Sequence, residues 1–310
     1  MDERVKINIM NSNLNLIRKF GDNISKNIKL SNYNWFNLGG PAEYFFKPKN
    51  INQLIEFFEE NKKNKLKITI IGAGSNTLVR DNGIKGVVIK LGASFSSINL
   101  FNENIIEVGA ATLDRKIANF AKDNELSGLE FLSCIPGSIG GAVVMNSGCY
   151  GDDISKILVS ITVIDINNCT IKEIKSEDIK FVYRSANLPK NFIIISVKLK
   201  GKKTIKDIIE KKQNYLIKKK KLSQPSQVKT CGSTFKNLSE EKKAWKFIKK
   251  SGCENFSVGD AIISNKHCNF FVNNGNAKSS DIEKLIKKVK HAVKHKMGIN
   301  LELEIKIIGE

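Results

Sequence analysis

Apolar and polar positions follow two periods along this chain, and each change of period marks an element. From Gln53 to Asn61 the apolar residues recur every three to four positions, which predicts an amphipathic helix. The same spacing returns over Thr112–Asn124, 204–221 and Ser279–His295, with Thr112 and Ser279 or Ser280 standing where helix N-caps belong. Short apolar or alternating runs predict strands at Tyr44–Phe46, Lys67–Ile71, Gly86–Leu91, Ile105–Gly109, Ser160–Ile166, Thr170–Ile174, Phe192–Leu199 and Leu301–Ile308. A short leading helix is predicted over Leu14, Ile17 and Phe20. Helices and strands intermix without an internal repeat, which indicates a mixed α/β or α+β chain, with a domain boundary near residue 202.

Composition narrows the class. The chain has 310 residues, enough for two or three domains, and 41% of them are hydrophobic, which excludes a disordered chain. Lys and Arg number 51 against 31 Asp and Glu, for a net charge of +20, yet only Arg4, Arg18, Arg80, Arg115 and Arg184 are arginines. Runs such as Lys218–Lys221 and Lys287–Lys288 fall on the outer faces of predicted helices, with no aromatic residues interleaved. They read as a solvated lysine coat, and no nucleic-acid partner is expected. Six cysteines carry no CxxC pair, against a zinc ribbon or a disulfide framework. No apolar run reaches the ~18–20 residues that span a bilayer. A reduced, cytoplasmic protein without a membrane partner is expected.

Two glycine-rich turns carry the first chemical signal. Gly72-Ala73-Gly74-Ser75-Asn76 directly follows a predicted strand, and Pro136-Gly137-Ser138-Ile139-Gly140-Gly141-Ala142 precedes an apolar run that ends at Asn146. Backbone N–H groups in such turns can cradle phosphate. Position 77 is Thr, not the third glycine of a dinucleotide fingerprint, and no Gly-Lys-Ser/Thr is present. Two turns rich in small donors favour a diphosphate-bearing cofactor.

A second group of residues carries candidate catalysis. Thr230–Asn237 gathers hydroxyls, the Lys236 ammonium and the Asn237 amide around Gly232; Ser233 there suits a general acid better than a nucleophile, because no activating Ser-His-Asp pattern accompanies it. Arg184 in Tyr183-Arg184-Ser185 can fork onto a carboxylate, which Lys cannot. Glu302 and Glu304 alternate with leucines and are expected on one strand face. His291 and His295 have zincin-like spacing but lack the intervening Glu and a third ligand, so no metal site is expected. His267 precedes an apolar strand as a core or pocket residue, and neither Cys149 nor Cys231 has a flanking base.

Taken in order, Ile71–Asn76, Ile135–Ala142, Met145–Gly151, Tyr183–Ser185, Gly232–Asn237 and Leu301–Ile305 resemble the bacterial UDP-N-acetylenolpyruvoylglucosamine reductases (MurB), over about residues 31 to 310. The resemblance implies an N-terminal extension (1–30), a two-lobed PCMH or vanillyl-alcohol-oxidase-type FAD-binding domain over 31–202 (lobes about 31–95 and 96–202), and a C-terminal α/β substrate-binding domain over 203–310. It implies non-covalent FAD, NADPH as reductant, a UDP-sugar substrate and a cytoplasmic step of peptidoglycan precursor synthesis, with no obligate protein partner. Hydride would pass to C3 of the enol ether and a proton to C2. By motif, Ser233 matches the proton donor, and Arg184 and Glu304 match the pair that stabilises the enolic intermediate. Gly72, Ala73, Gly74, Ser75, Asn76, Pro136, Gly137, Ser138, Gly140, Gly141, Ala142 and Asn146 match cofactor positions; Lys236, Asn237 and His267 match substrate positions. Leu238 stands where the family often has Pro, and Trp35-Phe36-Asn37 where relatives show Thr-Phe-Arg. The short stretch between Tyr183 and Ser233 resembles the type II form. The alternative is another FAD-dependent oxidoreductase on the same scaffold, acting on a different alcohol or sugar.

Overall fold

The computed structural model describes residues 16–310; residues 16–20 are helical, and the Leu14 end of the predicted leading helix lies outside the described residues. The chain forms two compact units, and neither is one continuous stretch. The first contains residues 16–28, Glu43–Ala73 and Gly86–Leu216; the second contains Lys29–Ala42, Gly74–Lys85 and Ile217–Glu310. Periodicity reports which face of an element is buried, not what it is buried against, so the short excursions at 29–42 and 74–85 leave no trace in the pattern.

In the first unit, strands run in the order Ile24–Lys29, Pro41–Phe46, Ile84–Ile89, Ile68–Ile70. The last two are parallel, with Ile70 opposite Ile89, so both strands leave the sheet at the same end. The Ile51–Asn64 helix begins where Asn50 Oδ1 accepts the Gln53 N–H at 2.9 Å, and it buries Leu54, Phe57 and Phe58. Phe57 stacks on Phe46 at 4.5 Å, with Phe20 edge-on to both, in a cluster that includes Val87, Ile89, Ile164 and Ile195. A second, antiparallel sheet has the order Thr170–Lys175, Leu158–Asp165, Phe192–Lys200, Ile105–Gly109, Ile98–Leu100. Its inner strands are mostly buried, while Thr170–Lys175 is an exposed edge carrying Lys172 and Lys175. Charge on an edge strand discourages pairing with other chains.

The second unit packs a three-stranded sheet (Ser257–Val258, Ala261–Ile263, Phe271–Asn273) with the Ser279–Met297 helix. That helix buries Ile282, Leu285, Ile286, Val289 and Val293 at helical spacing and turns its lysines outward. Its first N–H groups, from Ser279 and Ser280, bond to the Asp81 carboxylate at 2.8 and 2.9 Å, and Asp281 accepts the Lys278 N–H. The predicted serine caps are therefore replaced by acceptors from elsewhere in the chain. Thr112 likewise is no cap: its hydroxyl donates to the Ser97 carbonyl at 3.2 Å, and the helix runs Asp114–Asp123 after Leu113. The predicted strand over Leu301–Ile308 is regular only at Lys306–Ile308, which pairs in parallel with Thr77–Val79.

Candidate active site

Within the first unit, Gly72 of the first glycine turn lies against Ser138 of the second. A Cβ at Gly72 would come 2.8 Å from Ser138 Oγ, so Gly72 is needed for that approach. The second turn is strapped to Ala110–Asp114: Gly140 and Ile139 donate to Ala110 and Thr112, and Asp114 donates to Gly137, at 2.9–3.1 Å. Those bonds spend the inward groups. Among the described residues, no hydrogen bond takes the N–H of Ala73, Gly137, Ser138 or Gly141. Free backbone donors on two touching turns fit the pyrophosphate of a flavin dinucleotide. Asn146 is buried, and its side chain is engaged within the protein: Nδ2 donates to Val182 O at 3.2 Å, and Oδ1 accepts from Ser155 N at 3.0 Å.

That engagement serves Arg184. The Val182–Ser185 turn is closed by reciprocal backbone bonds, and Arg184 adopts a left-handed φ of 60° at its tip. Its Nη2 donates to the Gly148 carbonyl at 3.0 Å, and its guanidinium lies 4.8 Å from the Tyr183 ring centroid. The guanidinium is thus stacked on one neighbour and tethered to another.

Within the second unit, Gly74–Asn76, Ser233–Asn237, His267–Phe270 and Leu301–Ile305 come together. Phe235 is fully buried and pairs with Leu303; around it Glu304 N donates to Thr234 O, and Lys236 N to Glu302 O, both at 2.9 Å. Glu304, half-buried, therefore lies across from the residue next to Ser233. Asn76 Nδ2 donates to Glu304 O at 3.1 Å, which ties the first glycine motif to that carboxylate's backbone. Glu302 differs: it is exposed, with its carboxylate 3.6 Å from Lys236 Nζ. Ser75 is half-buried in the Gly74–Asn76 turn. Gly74 has φ +71°, and a Cβ there would lie 2.1 Å from the Tyr33 carbonyl oxygen.

Asn237 Oδ1 accepts the Ala244 N–H at 3.0 Å, ahead of the Ala244–Lys250 helix. His267 lies edge-on to Phe270, and its Nδ1 accepts the Asn269 N–H at 3.3 Å. Burial lowers its pKa below the ordinary imidazole value, which keeps that acceptor neutral. Burial also pushes the Cys231 thiol up to about 12, and Sγ donates to the Thr77 carbonyl at 3.2 Å, so Cys231 packs rather than attacks. Among the described residues, no three His, Cys, Asp or Glu side chains are grouped to hold a metal, and no helix is long and apolar enough to cross a membrane.

Sequence reasoning missed Asn269. Its buried amide brackets Phe235, accepting its N–H at 3.0 Å and donating to its carbonyl at 2.8 Å, while its own carbonyl accepts from Thr234. These contacts set the shape of the Ser233 segment. An isolated Asn among apolar residues is the one sequence signal, and it names no partner.

Comparison with known proteins closes the case for the class. A family model described as an FAD binding domain matches residues 42–175, and one described as UDP-N-acetylenolpyruvoylglucosamine reductase, C-terminal domain, matches residues 224–308. The chain is an FAD-containing oxidoreductase, with a flavin domain followed by a reductase C-terminal domain. It is 47% identical over 298 residues to the UDP-N-acetylenolpyruvoylglucosamine reductase of Pelagibacter ubique (strain HTCC1062), covering 94% of this chain and 98% of that one. It is 44% identical over 289 residues to that of Orientia tsutsugamushi (strain Ikeda), covering 92% and 94%. The crystal structure of MurB from Thermus caldophilus superposes with a TM-score of 0.79 at 30% identity, over 92% of this chain and 98% of that one. The chain belongs to the UDP-N-acetylenolpyruvoylglucosamine reductases.

Proposed function

We propose that this chain reduces the enolpyruvyl ether of UDP-N-acetylglucosamine to UDP-N-acetylmuramate, with NADPH as reductant, in the cytoplasm. FAD held by the two glycine turns supplies the hydride chemistry. Ser233 gives the proton to C2 of the substrate. Arg184 forks onto the substrate carboxylate as negative charge builds on it, and Glu304 joins it there as a carboxylic acid whose O–H donates to the same group, because charge stabilised where it develops lowers the barrier most. Lys236 offers an ammonium to the acidic substrate, with Asn237 and His267 lining its path. The pyrophosphate is held by the Gly72–Asn76 and Pro136–Ala142 backbones.

One observation carries this reading: the Ser233 segment and Glu304 are locked together by the Thr234–Glu304 backbone bond, in a chain whose rare arginine is stacked and tethered at a turn tip. The test is NADPH oxidation by the purified protein. It should require the enolpyruvyl UDP-sugar and yield UDP-N-acetylmuramate; oxidation that ignores this substrate would reject the proposal.

A further inference from the structure

Lys90 directly follows the Ile84–Ile89 strand, beside the point where the parallel Ile68–Ile70 strand runs into the first glycine turn. Its Nζ donates to the Gly72 carbonyl at 2.6 Å, and its N–H bonds to Phe46 O at 3.0 Å. The peptide between Gly72 and Ala73 is trans, so a carbonyl fixed toward Lys90 sends the Ala73 N–H the opposite way. That N–H is one of the donors with no partner among the described residues. Burial lowers the Lys90 pKa from the ordinary lysine value, and the charge of Lys47 adds to the effect. A lysine charge held at the turn attracts an anion to it.

We propose that Lys90 is a further positioning residue of the cofactor site: it sets the Gly72–Ala73 peptide for anion binding and gives the turn the positive charge that draws in the cofactor diphosphate. This rests on the flavin reading above.

The experiment dilutes the purified yellow holoenzyme at about 0.05 M and about 0.5 M KCl and follows FAD release by flavin fluorescence. Thermal melting serves as a fold control. Lys90→Met should raise the FAD dissociation constant about 10- to 100-fold, the scale of a lost charge-assisted bond, and flatten its salt dependence. Lys90→Arg should stay within about threefold of wild type, since charge and donor persist. If Lys90→Met does not melt like wild type, Lys90→Gln replaces it with the same readouts. Wild-type retention and salt response in the uncharged variant would overturn the proposal. So would a Lys90→Arg protein as weak as Lys90→Met with its salt response intact. A wild-type protein that holds no FAD would instead strike the flavin reading itself.

Discussion

Replacing Ser233 by Ala removes one hydroxyl from a segment whose shape its neighbours set. Thr234 and Phe235 keep their backbone bonds to Asn269 and Glu304, so the fold and flavin reduction by NADPH should persist. Reduction of the enolpyruvyl substrate should slow by about 10²- to 10⁴-fold, the usual worth of a positioned proton donor. Equal slowing of both half-reactions in stopped flow would contradict the donor role. Arg184→Lys loses the fork, the bond to Gly148 and the stack on Tyr183 together. Turnover should fall on the order of 10²-fold or more, and a near-normal rate would count against a carboxylate contact. Ser233, Arg184 and Glu304 are proposed from the sequence because each sits in a distinctive short motif, and the roles of the first two rest on the variants above. Asn269 and Lys90 are not, because each acts on a partner distant in sequence: Asn269 on Phe235, 34 positions away, and Lys90 on Gly72, 18 away.

Elements show the same limit. The long helices were legible from their stripes, but Thr77–Val79 and Ala261–Ile263 are three residues each, too short for a period of two to declare itself. Caps were misjudged at Thr112 and Ser279 because the true partners, Ser97 and Asp81, come from other parts of the chain. The hairpin after Leu158–Asp165 makes a test. Lys172 Nζ at 2.8 Å and Asn191 Nδ2 at 2.7 Å hold the Asp165 carboxyl down to about 2. A carboxylate depressed on folding contributes stability above its unfolded value near ~4, and that stability is lost as pH falls toward 2. The melting temperature of Asp165→Asn should therefore vary less with pH across that window than wild type; parallel curves would refute the link. Gly74→Ala forces a side chain toward the Tyr33 carbonyl at positive φ. It should destabilise the protein by more than about 1 kcal/mol in denaturant unfolding, and an unchanged midpoint would show that the turn can relax.

At the scale of the molecule, part of the net charge of +20 is carried by lysines on the outer face of the Ser279–Met297 helix, away from its buried stripe. That field still favours approach of an anionic nucleotide sugar, so KM for the UDP-sugar should rise with ionic strength more steeply than kcat changes. The two compact units, each assembled from three stretches, were illegible because their makeup depends on contacts between segments far apart in sequence. The central claim is that one bound flavin links NADPH oxidation to reduction of the enolpyruvyl ether. An anaerobic visible spectrum of the purified protein tests it most directly. The account predicts flavin absorbance that NADPH bleaches without substrate and that the enolpyruvyl UDP-sugar then restores with no oxygen present. A protein that stays colourless in excess FAD, or a bleached flavin that this substrate leaves reduced, would contradict it.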